Sequence, residues 1–480
     1  MTTRTNNYYT AEVRADKGRC AIATKRIASG TRVLLTDAFA WVSVSSCNWC
    51  LKESSVTRRC GGCKRVKYCS RACQQLDWQK GNHAKECDAF RQIPASVRGA
   101  AVQTVLLVTR LAAKLYMQST KAGGGGDHEQ HGEEVLRLRH HYEDHAEQKL
   151  FQYREMAQLV LLLLSRSKFN SSAVAPQKES FEELSERLLE KIVLLFCRVN
   201  CNAFTISNDV CAPLGIGVFP NGALYNHSCA PNCIVSFKNQ QMVVHTIDNV
   251  PQGEELTISY VELLESTTAR RQALKESYFF YCQCRRCTNA LAGECNDDWY
   301  LDGYACCPEG VATSFEGKTA VSTVQCHKCG SKRTISNLPE LKQGCEEIEL
   351  KLRQQQTLTA SVKWRLHQQL QAILEEKLGL HPRNTRIATF WCQVGTFLLE
   401  ASGSEFPDGK KPASAVEYFT KELHATEWIL PMMKLPSRGL LHFQLGKLYC
   451  EEAASDNISH SRHVEAREKA IKHFQRALSM

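Results

Sequence analysis

No stretch of this 480-residue chain stays apolar for the roughly 18 residues that a membrane span needs. The longest run, Leu159 to Leu164, stops at Ser165 and Arg166. Met1 to Thr10 is polar and has no apolar segment ahead of a cleavage site, so an intracellular soluble protein with no membrane association is expected. A dense basic localisation cluster is also missing, which leaves both cytoplasm and nucleus as expected compartments. No Asp/His dyad stands out as a strong base. Nor is the chain short of apolar residues. Hydrophobic residues make 43% and charged residues 23%, near the globular average, which excludes a disordered or fibrous protein.

What is abundant is cysteine, 24 in all, together with a formal charge of +10. In a reducing compartment, clustered cysteines point to metal rather than disulfides. Metal also changes the charge. Eleven thiolates remove eleven charges and three Zn²⁺ return six, taking +10 to about +5. That excess permits a basic patch but does not mark a dedicated nucleic-acid binder.

The length predicts about three domains. Residues 11–46 read as short strands, with Ala38 to Val44 a β segment carrying Phe39, Trp41, Val42 and Val44. From Phe90 to about Cys197 apolar residues recur at helical spacing, interrupted by the loop-like Gly123 to Gly126. Strand signals return from Phe204 to Tyr260. Ile234 to Phe237 and Met242 to Val244 flank Lys238-Asn239-Gln240-Gln241, a predicted hairpin. After about Asp297 the pattern is read as helical again. Leu366, Leu370, Ile373, Leu374 and Leu378 share a face closed by Gly379. Ala415-x3-Phe419, Ala470-x3-Phe474 and Leu445-Gly446-x2-Tyr449 are phrases of tetratricopeptide-like helix pairs.

Cys47-x2-Cys50, Cys60-x2-Cys63, Cys69-x3-Cys73 and His83-x3-Cys87 form four chelating pairs. Eight such ligands make two closed tetrahedral zinc sites, and a segment so poor in apolar residues needs metal to fold. Spacing alone leaves sequential pairing open. Cys282-x-Cys284-x2-Cys287 supplies three further ligands and needs a fourth. Cys326-x2-Cys329 is another pair, but its neighbours Cys306 and Cys307 are adjacent in sequence and were expected to be poor co-ligands. The expectation is therefore three zincs.

The pattern from Cys47 to Cys87, with Tyr68 before Cys69 and Trp78 in the last helix, resembles the MYND zinc finger. That resemblance implies interleaved ligands: Cys47, Cys50, Cys69 and Cys73 on one ion, and Cys60, Cys63, His83 and Cys87 on the other. It also implies binding of proline-rich peptides and, at most weakly, DNA. Asn226-His227-Ser228-Cys229-x-Pro231-Asn232-Cys233, followed by Gly253-Glu254-Glu255-Leu256-Thr257-Ile258-Ser259-Tyr260, resembles the SET-domain lysine methyltransferases. The order of segments along the whole chain resembles the SMYD family.

Transfer of a methyl group from a sulfonium to a lysine amine needs positioning more than a strong base. A nearby cation and an apolar channel both lower the amine's pKa. The resemblance assigns the roles. Lys17-Gly18-Arg19 matches the turn along S-adenosylmethionine, with Cys20 where the family commonly has glycine. Glu143-Asp144-His145 matches a segment in which the residue at His145 contacts the cofactor. Asn226 and His227 match the cofactor pair, and Tyr260 the catalytic tyrosine, which also lies against the cofactor. Tyr278 and Phe280 match the aromatic pair lining the lysine channel and covering the adenine. Phe204 and Thr205 resemble channel-lining residues. Cys229 is implied as the fourth ligand beside Cys282, Cys284 and Cys287.

The implied fold is an α+β multidomain chain. It comprises an N-terminal SET part (8–46), a MYND finger (47–87), a helical insert (88–197), the SET core with its pseudoknot (198–265), a zinc post-SET segment (266–296) and an all-α tetratricopeptide-like domain (297–480). The implied function is an S-adenosylmethionine-dependent protein-lysine N-methyltransferase, expected to be a monomer, acting on histone or non-histone proteins. The alternative is a scaffold or transcriptional co-regulator with a weak or inactive SET domain. A sequence-specific DNA-binding regulator is disfavoured, because Lys64, Arg65 and Lys67 supply only a small basic patch.

Overall fold

The computed structural model describes all residues except 1–6, 16, 55, 82, 95, 98–99, 118–126, 166–180, 315–321, 355–357, 432, 456–458 and 480. The glycine run Gly123 to Gly126 lies outside the described residues. The chain divides into two compact units, Met1–Tyr260 with Gln272–Cys282, and Val261–Arg271 with Gln283–Met480.

In the first unit the hairpin of Tyr9–Arg14 and Gly18–Ala23 pairs Glu12 with Cys20 and Arg14 with Gly18. A three-stranded sheet joins Cys233–Lys238, Gln241–Thr246 and Arg32–Asp37 in that order. Its first two strands form the expected hairpin, with Lys238 opposite Gln241. Asn239 turns it at φ 56°, a left-handed conformation that asparagine tolerates better than most residues. A second three-stranded sheet joins Ala40–Val42, Pro213–Val218 and Ala203–Ser207. The first of these strands is shorter than the sequence suggests, because Ser43 N–H leaves the ladder for the side-chain oxygen of Asn48 at 3.0 Å. Thr257–Ile258 runs parallel to Asn226–His227. Beneath these strands Phe219, Tyr225, Met242, Val244, Leu256 and Ile258 are buried together.

Helices Ala100–Ala112, Glu147–Ser165 and Phe181–Asn202 bury Leu106, Leu107, Val160, Leu163, Leu195 and Phe196 in one cluster. The same cluster contains Cys47, Cys60, Cys63 and Cys87. No helix among the described residues is long and apolar enough to cross a membrane.

The second unit corrects the expectation of an all-helical segment after Asp297. Tyr304–Ala305, Val311–Ser314, Ser322–Cys326 and Lys332–Ile335 form a four-stranded antiparallel sheet. Its strands are too short and too polar to show an alternating pattern. Among the described residues, six α-helices follow: Leu338–Gln354, Ala360–Gln371, Thr385–Glu400, Ala415–Thr426, Pro436–Ala453 and His460–Ser479. Of the apolar face read from sequence, Leu370, Leu374 and Leu378 are buried. The helical phrases interlock: a Cβ on Gly446 would stand 2.8 Å from the ring of Phe474, and one on Gly395 2.7 Å from that of Phe419. Glycine there lets an aromatic ring lie on the helix backbone.

Candidate functional site

The eight ligand candidates between Cys47 and Cys87 fall into two sets, each with its donor atoms within 4.8 Å of one another: Cys47, Cys50, Cys69 and Cys73, and Cys60, Cys63, His83 and Cys87. The sets interleave along the chain. Cys50 Sγ is 3.6 Å from Cys69 Sγ, and Cys60 Sγ is 3.7 Å from Cys87 Sγ. Zn–S bonds of about 2.3 Å in a tetrahedron place sulfurs about 3.8 Å apart, so both sets have the dimensions of a zinc site. His83 beside it pulls the Cys60 thiol down to about 6, toward the thiolate that a metal requires. Beside ligands Cys47 and Cys69 of the first set lies a buried polar anchor. Asp77 accepts from Asn48 Nδ2 and from the Tyr68 hydroxyl, each at 2.7 Å.

The strand-like pair Asn226–His227 stands at the crossing of three segments. Asn226 Nδ2 donates to Arg19 O at 3.1 Å, to Cys20 Sγ at 3.3 Å and to Glu255 Oε1 at 2.9 Å. Lys17 Nζ donates to the other oxygen of Glu255 at 2.9 Å. Gly18 takes φ +72°, which lets the turn pass beneath these side chains. His227 Nδ1 accepts from Tyr260 N–H at 3.0 Å. A neutral ring that accepts at Nδ1 carries its proton at Nε2, which faces Cys229 Sγ at 3.2 Å. The ring is thereby fixed in tautomer and orientation.

Tyr260 is half-buried. Its hydroxyl donates to Tyr225 O at 2.8 Å, and its ring lies 4.8 Å from that of Tyr278 and 5.5 Å from that of His227. Burial, with Tyr278 and Glu255 nearby, pushes its hydroxyl above the ordinary tyrosine value. It therefore stays protonated at neutral pH and can donate or orient, but cannot serve as a base. Phe280, 36% exposed, lies 6.2 Å from His227, ring to ring.

The other site residues read from sequence are placed as follows. Phe204 turns its ring edge toward Phe219 at 6.0 Å, and Thr205 beside it is exposed. His145 is buried between Tyr153 at 5.5 Å and Phe279 at 4.6 Å, and its Nε2 is buried without a hydrogen-bond partner. Burial pulls its pKa below the ordinary histidine value. Cys229 and Cys282 are buried in the first unit, while Cys284 and Cys287 belong to the second.

Three residues in this region had no role in the sequence reading. Asn232 Nδ2 donates to Glu255 O and its Oδ1 accepts from Thr257 N–H, both at 2.8 Å, so it clamps the segment leading to Tyr260. Phe279, at φ 65°, sets its ring against His145 and also stacks on His141 at 5.1 Å. Glu255 holds Lys17 and Asn226 together; its place in the Gly-Glu-Glu-Leu phrase was the available signal.

Glu255 also carries a pH dependence. Burial opposes its charge, but the hydrogen bonds from Lys17 and Asn226 prevail and hold its carboxyl below the ordinary value of 4.5. A carboxyl depressed in the folded state contributes stability above its unfolded pKa and loses it as pH falls through the folded value. The stability difference between wild type and Glu255→Gln should therefore be largest near neutrality and shrink as pH falls below about 4.5. Denaturant midpoints at stepped pH measure it; a difference unchanged down to acid pH would contradict the assignment.

The SET domain family model matches residues 18–261. The chain is 30% identical over 331 residues to the histone-lysine N-methyltransferase ASHR1 of Arabidopsis thaliana, covering 68% of this chain and 64% of that protein. It is 31% identical over 277 residues to the N-lysine methyltransferase SMYD2 of Gallus gallus, covering 57% of this chain and 58% of that one. It thus spans less than two thirds of the length of these curated relatives. The solved SET domain of LSMT bound to lysine and AdoHcy is similar with a TM-score of 0.32 and 12% identity, covering 100% of this chain and 85% of that one. With just over half of its residues matched by the family model, this chain belongs to the SET domain family.

Proposed function

We propose that the protein is an S-adenosylmethionine-dependent protein-lysine N-methyltransferase. The observation that carries this reading is the convergence of Lys17-Gly18-Arg19, Asn226-His227 and Tyr260, tied together through Glu255 and His227. The names of the two relatives, both lysine methyltransferases, support it.

The residues fit the cofactor. The turn at Lys17 to Arg19 combines cationic side chains with backbone held at a glycine of positive φ, suited to the amino-acid end of the molecule. The accessible ring of Phe280 suits a planar base, and the orphaned Nε2 of His145 offers a polar contact. When bound, S-adenosylmethionine supplies an electrophilic methyl group on a sulfonium. The chain's own residues do the rest. The paired rings of Tyr260 and Tyr278 form an aromatic wall that excludes water and favours the long aliphatic stem of a lysine. Desolvation lowers the pKa of the incoming amine, so its proton leaves to solvent before transfer. The Tyr260 hydroxyl, held by Tyr225 O, orients the reacting groups without taking a proton.

The finer architecture forms part of the same proposal. It comprises a MYND finger at 47–87 open to proline-rich peptides, a helical insert at 88–197, a SET core at 198–265, a post-SET segment at 266–296 and a tetratricopeptide-like domain completing the chain. Cys229, Cys282, Cys284 and Cys287 are assigned a third zinc on their sequence pattern. Phe204 and Thr205 are assigned to the substrate channel on the same basis. The substrate is a lysine-bearing protein, and the expected compartments are cytoplasm and nucleus.

The test is methylation of histones and of a whole-proteome extract with isotopically labelled S-adenosylmethionine. Lysine-borne label from wild type supports the proposal; none from any substrate pool would leave a scaffold role in its place. In the same preparation, Asn226→Ala and His227→Ala should each weaken cofactor binding by roughly 1 kcal/mol, about fivefold, since each removes hydrogen bonds that align the pocket. Calorimetry showing normal affinity in the double variant would contradict the assigned pocket.

A further inference from the structure

The four-stranded sheet of the second unit carries cysteines at two of its turns. Cys306 and Cys307 follow Tyr304–Ala305, while Cys326 ends Ser322–Cys326 and Cys329 lies in the turn beyond it. At the first turn Gly310 N–H donates to Cys307 O at 2.7 Å, and Cys306 N–H donates to Gly310 O at 3.2 Å. At the second, Gly330 N–H donates to Cys326 O at 3.0 Å, and Cys326 N–H to Ser331 O at 2.9 Å. Each turn folds the chain back on itself, and all four Sγ atoms lie within 4.8 Å of one another. Leaving the strand at Cys306 frees the two adjacent cysteines from facing opposite sides of a sheet. Their adjacency is therefore no obstacle to shared ligation, contrary to the expectation from sequence.

The distances distinguish between two chemistries. Cys306 Sγ is 3.7 Å from Cys329 Sγ, and Cys307 Sγ is 3.9 Å from Cys326 Sγ. A disulfide would bring a pair to about 2.05 Å. Four Zn–S bonds of about 2.3 Å set the edges of their tetrahedron near 3.8 Å. The surroundings suit thiolates. Lys328 N–H donates to Cys326 Sγ at 3.4 Å, and Ser331 Oγ lies 3.2 Å from Cys329 Sγ, where its hydroxyl can donate. The space between the sulfurs is kept by Gly310, where a Cβ would collide with Cys307 Sγ and stand 3.0 Å from Cys326 Sγ.

We propose that Cys306, Cys307, Cys326 and Cys329 hold a structural Zn²⁺ that fixes both turns of this sheet and, through them, one wall of a large open cavity. The cavity, about 1140 Å³, is lined by Glu309 from the first turn and His327 and Lys328 from the second. His327 is stacked on Trp299, ring centroids 3.7 Å apart. Binding displaces any thiol protons to solvent, with no change of oxidation state. The site is separate from the finger clusters and from the third zinc assigned above, and it does not depend on the methyltransferase reading.

The test uses the full-length protein purified under reducing conditions. Zinc per chain is measured for wild type, for Cys326→Ser/Cys329→Ser, and for Cys450→Ser, which alters an exposed cysteine outside the cluster. The double variant should contain one zinc fewer than wild type, and Cys450→Ser should match wild type. Equal zinc in the double variant and wild type would overturn the proposal. Should the double variant not fold, wild type alone decides. Cys306 and Cys329 are exposed, yet zinc should protect them from alkylation while Cys450 reacts, and a chelator should abolish that protection. Alkylation at the rate of Cys450 before chelation, or an intact mass showing disulfides among the four, would also overturn it.

Discussion

Replacing Tyr260 by phenylalanine is expected to slow methyl transfer by about 10²-fold or more while leaving S-adenosylmethionine affinity within about threefold. The substitution keeps the ring, and with it the contacts to Tyr278 at 4.8 Å and His227 at 5.5 Å. It removes only the hydroxyl and its hydrogen bond to Tyr225 O. Losing one neutral hydrogen bond costs about 1 kcal/mol of stability, too little to unfold the unit. A group that orients the reacting atoms acts chiefly in the transition state, so the loss belongs in kcat rather than in binding. Because burial keeps the hydroxyl protonated, the wild-type rate should show no titration of Tyr260 through neutral pH. The decisive measurements are steady-state kinetics and cofactor calorimetry on one preparation. A phenylalanine variant with wild-type kcat would remove Tyr260 from the reacting centre; one that loses cofactor binding would recast it as part of the pocket.

The contrast between what the sequence revealed and what it hid follows from how local each signal is. Chelating cysteine pairs announce themselves at spacings of two or three, and the eight residues that gather into two sets between Cys47 and Cys87 were all legible as ligand candidates. Which pairs share an ion is a matter of tertiary structure, and spacing alone left it open. The Lys238 to Gln241 hairpin was legible because two short apolar runs, Ile234 to Phe237 and Met242 to Val244, flank a polar turn that carries an asparagine. The sheet spanning Tyr304 to Ile335 was not, since its strands are two to five residues long and mostly polar. In the site, the sequence assigned roles to residues that resemble known motif positions, and none to residues whose hydrogen bonds tie one motif to another. Glu255 and Asn232 lie within quoted motifs, yet their work is to bond Lys17, Asn226 and Thr257, which are distant or fall in other phrases. Phe279 carried no role because the resemblance assigned the channel and adenine contacts to Tyr278 and Phe280, and only the fold, with φ 65° at Phe279, brings its ring against His141 and His145.

The second large effect is expected where helix His83–Arg91 meets helix Ala100–Ala112. Glu86 sits on helix His83–Arg91, between the zinc ligands His83 and Cys87, and Arg110 sits on helix Ala100–Ala112. Both side chains are 1% exposed. Arg110 Nε lies 2.9 Å and 3.1 Å from the two oxygens of Glu86, and Nη2 is 2.7 Å from the second of them. Nη1 also donates to Trp41 O, so one guanidinium joins the two helices and the strand Ala40–Val42. Burial works against the charged arginine, but Glu86 more than offsets it and raises the guanidinium's pKa. Glu86→Gln leaves that buried cation without its hydrogen-bonded counter-charge and should destabilise the first unit by about 3–5 kcal/mol. Arg110→Met strands the carboxylate instead and should cost a similar amount. The double variant Glu86→Met/Arg110→Met removes both charges and should cost well under the sum, because two desolvation penalties disappear along with the attraction. Zinc release to a chromogenic chelator gives a local readout: Glu86→Gln should speed release from the Cys60, Cys63, His83 and Cys87 set, since that helix loses its anchor. Denaturant midpoints for the four proteins complete the cycle. If Glu86→Gln shifts stability by less than about 1 kcal/mol, the pair is hydrated in solution and worth no more than a surface ion pair, and the hold between the two helices must then rest on apolar packing around Phe90 and Leu106.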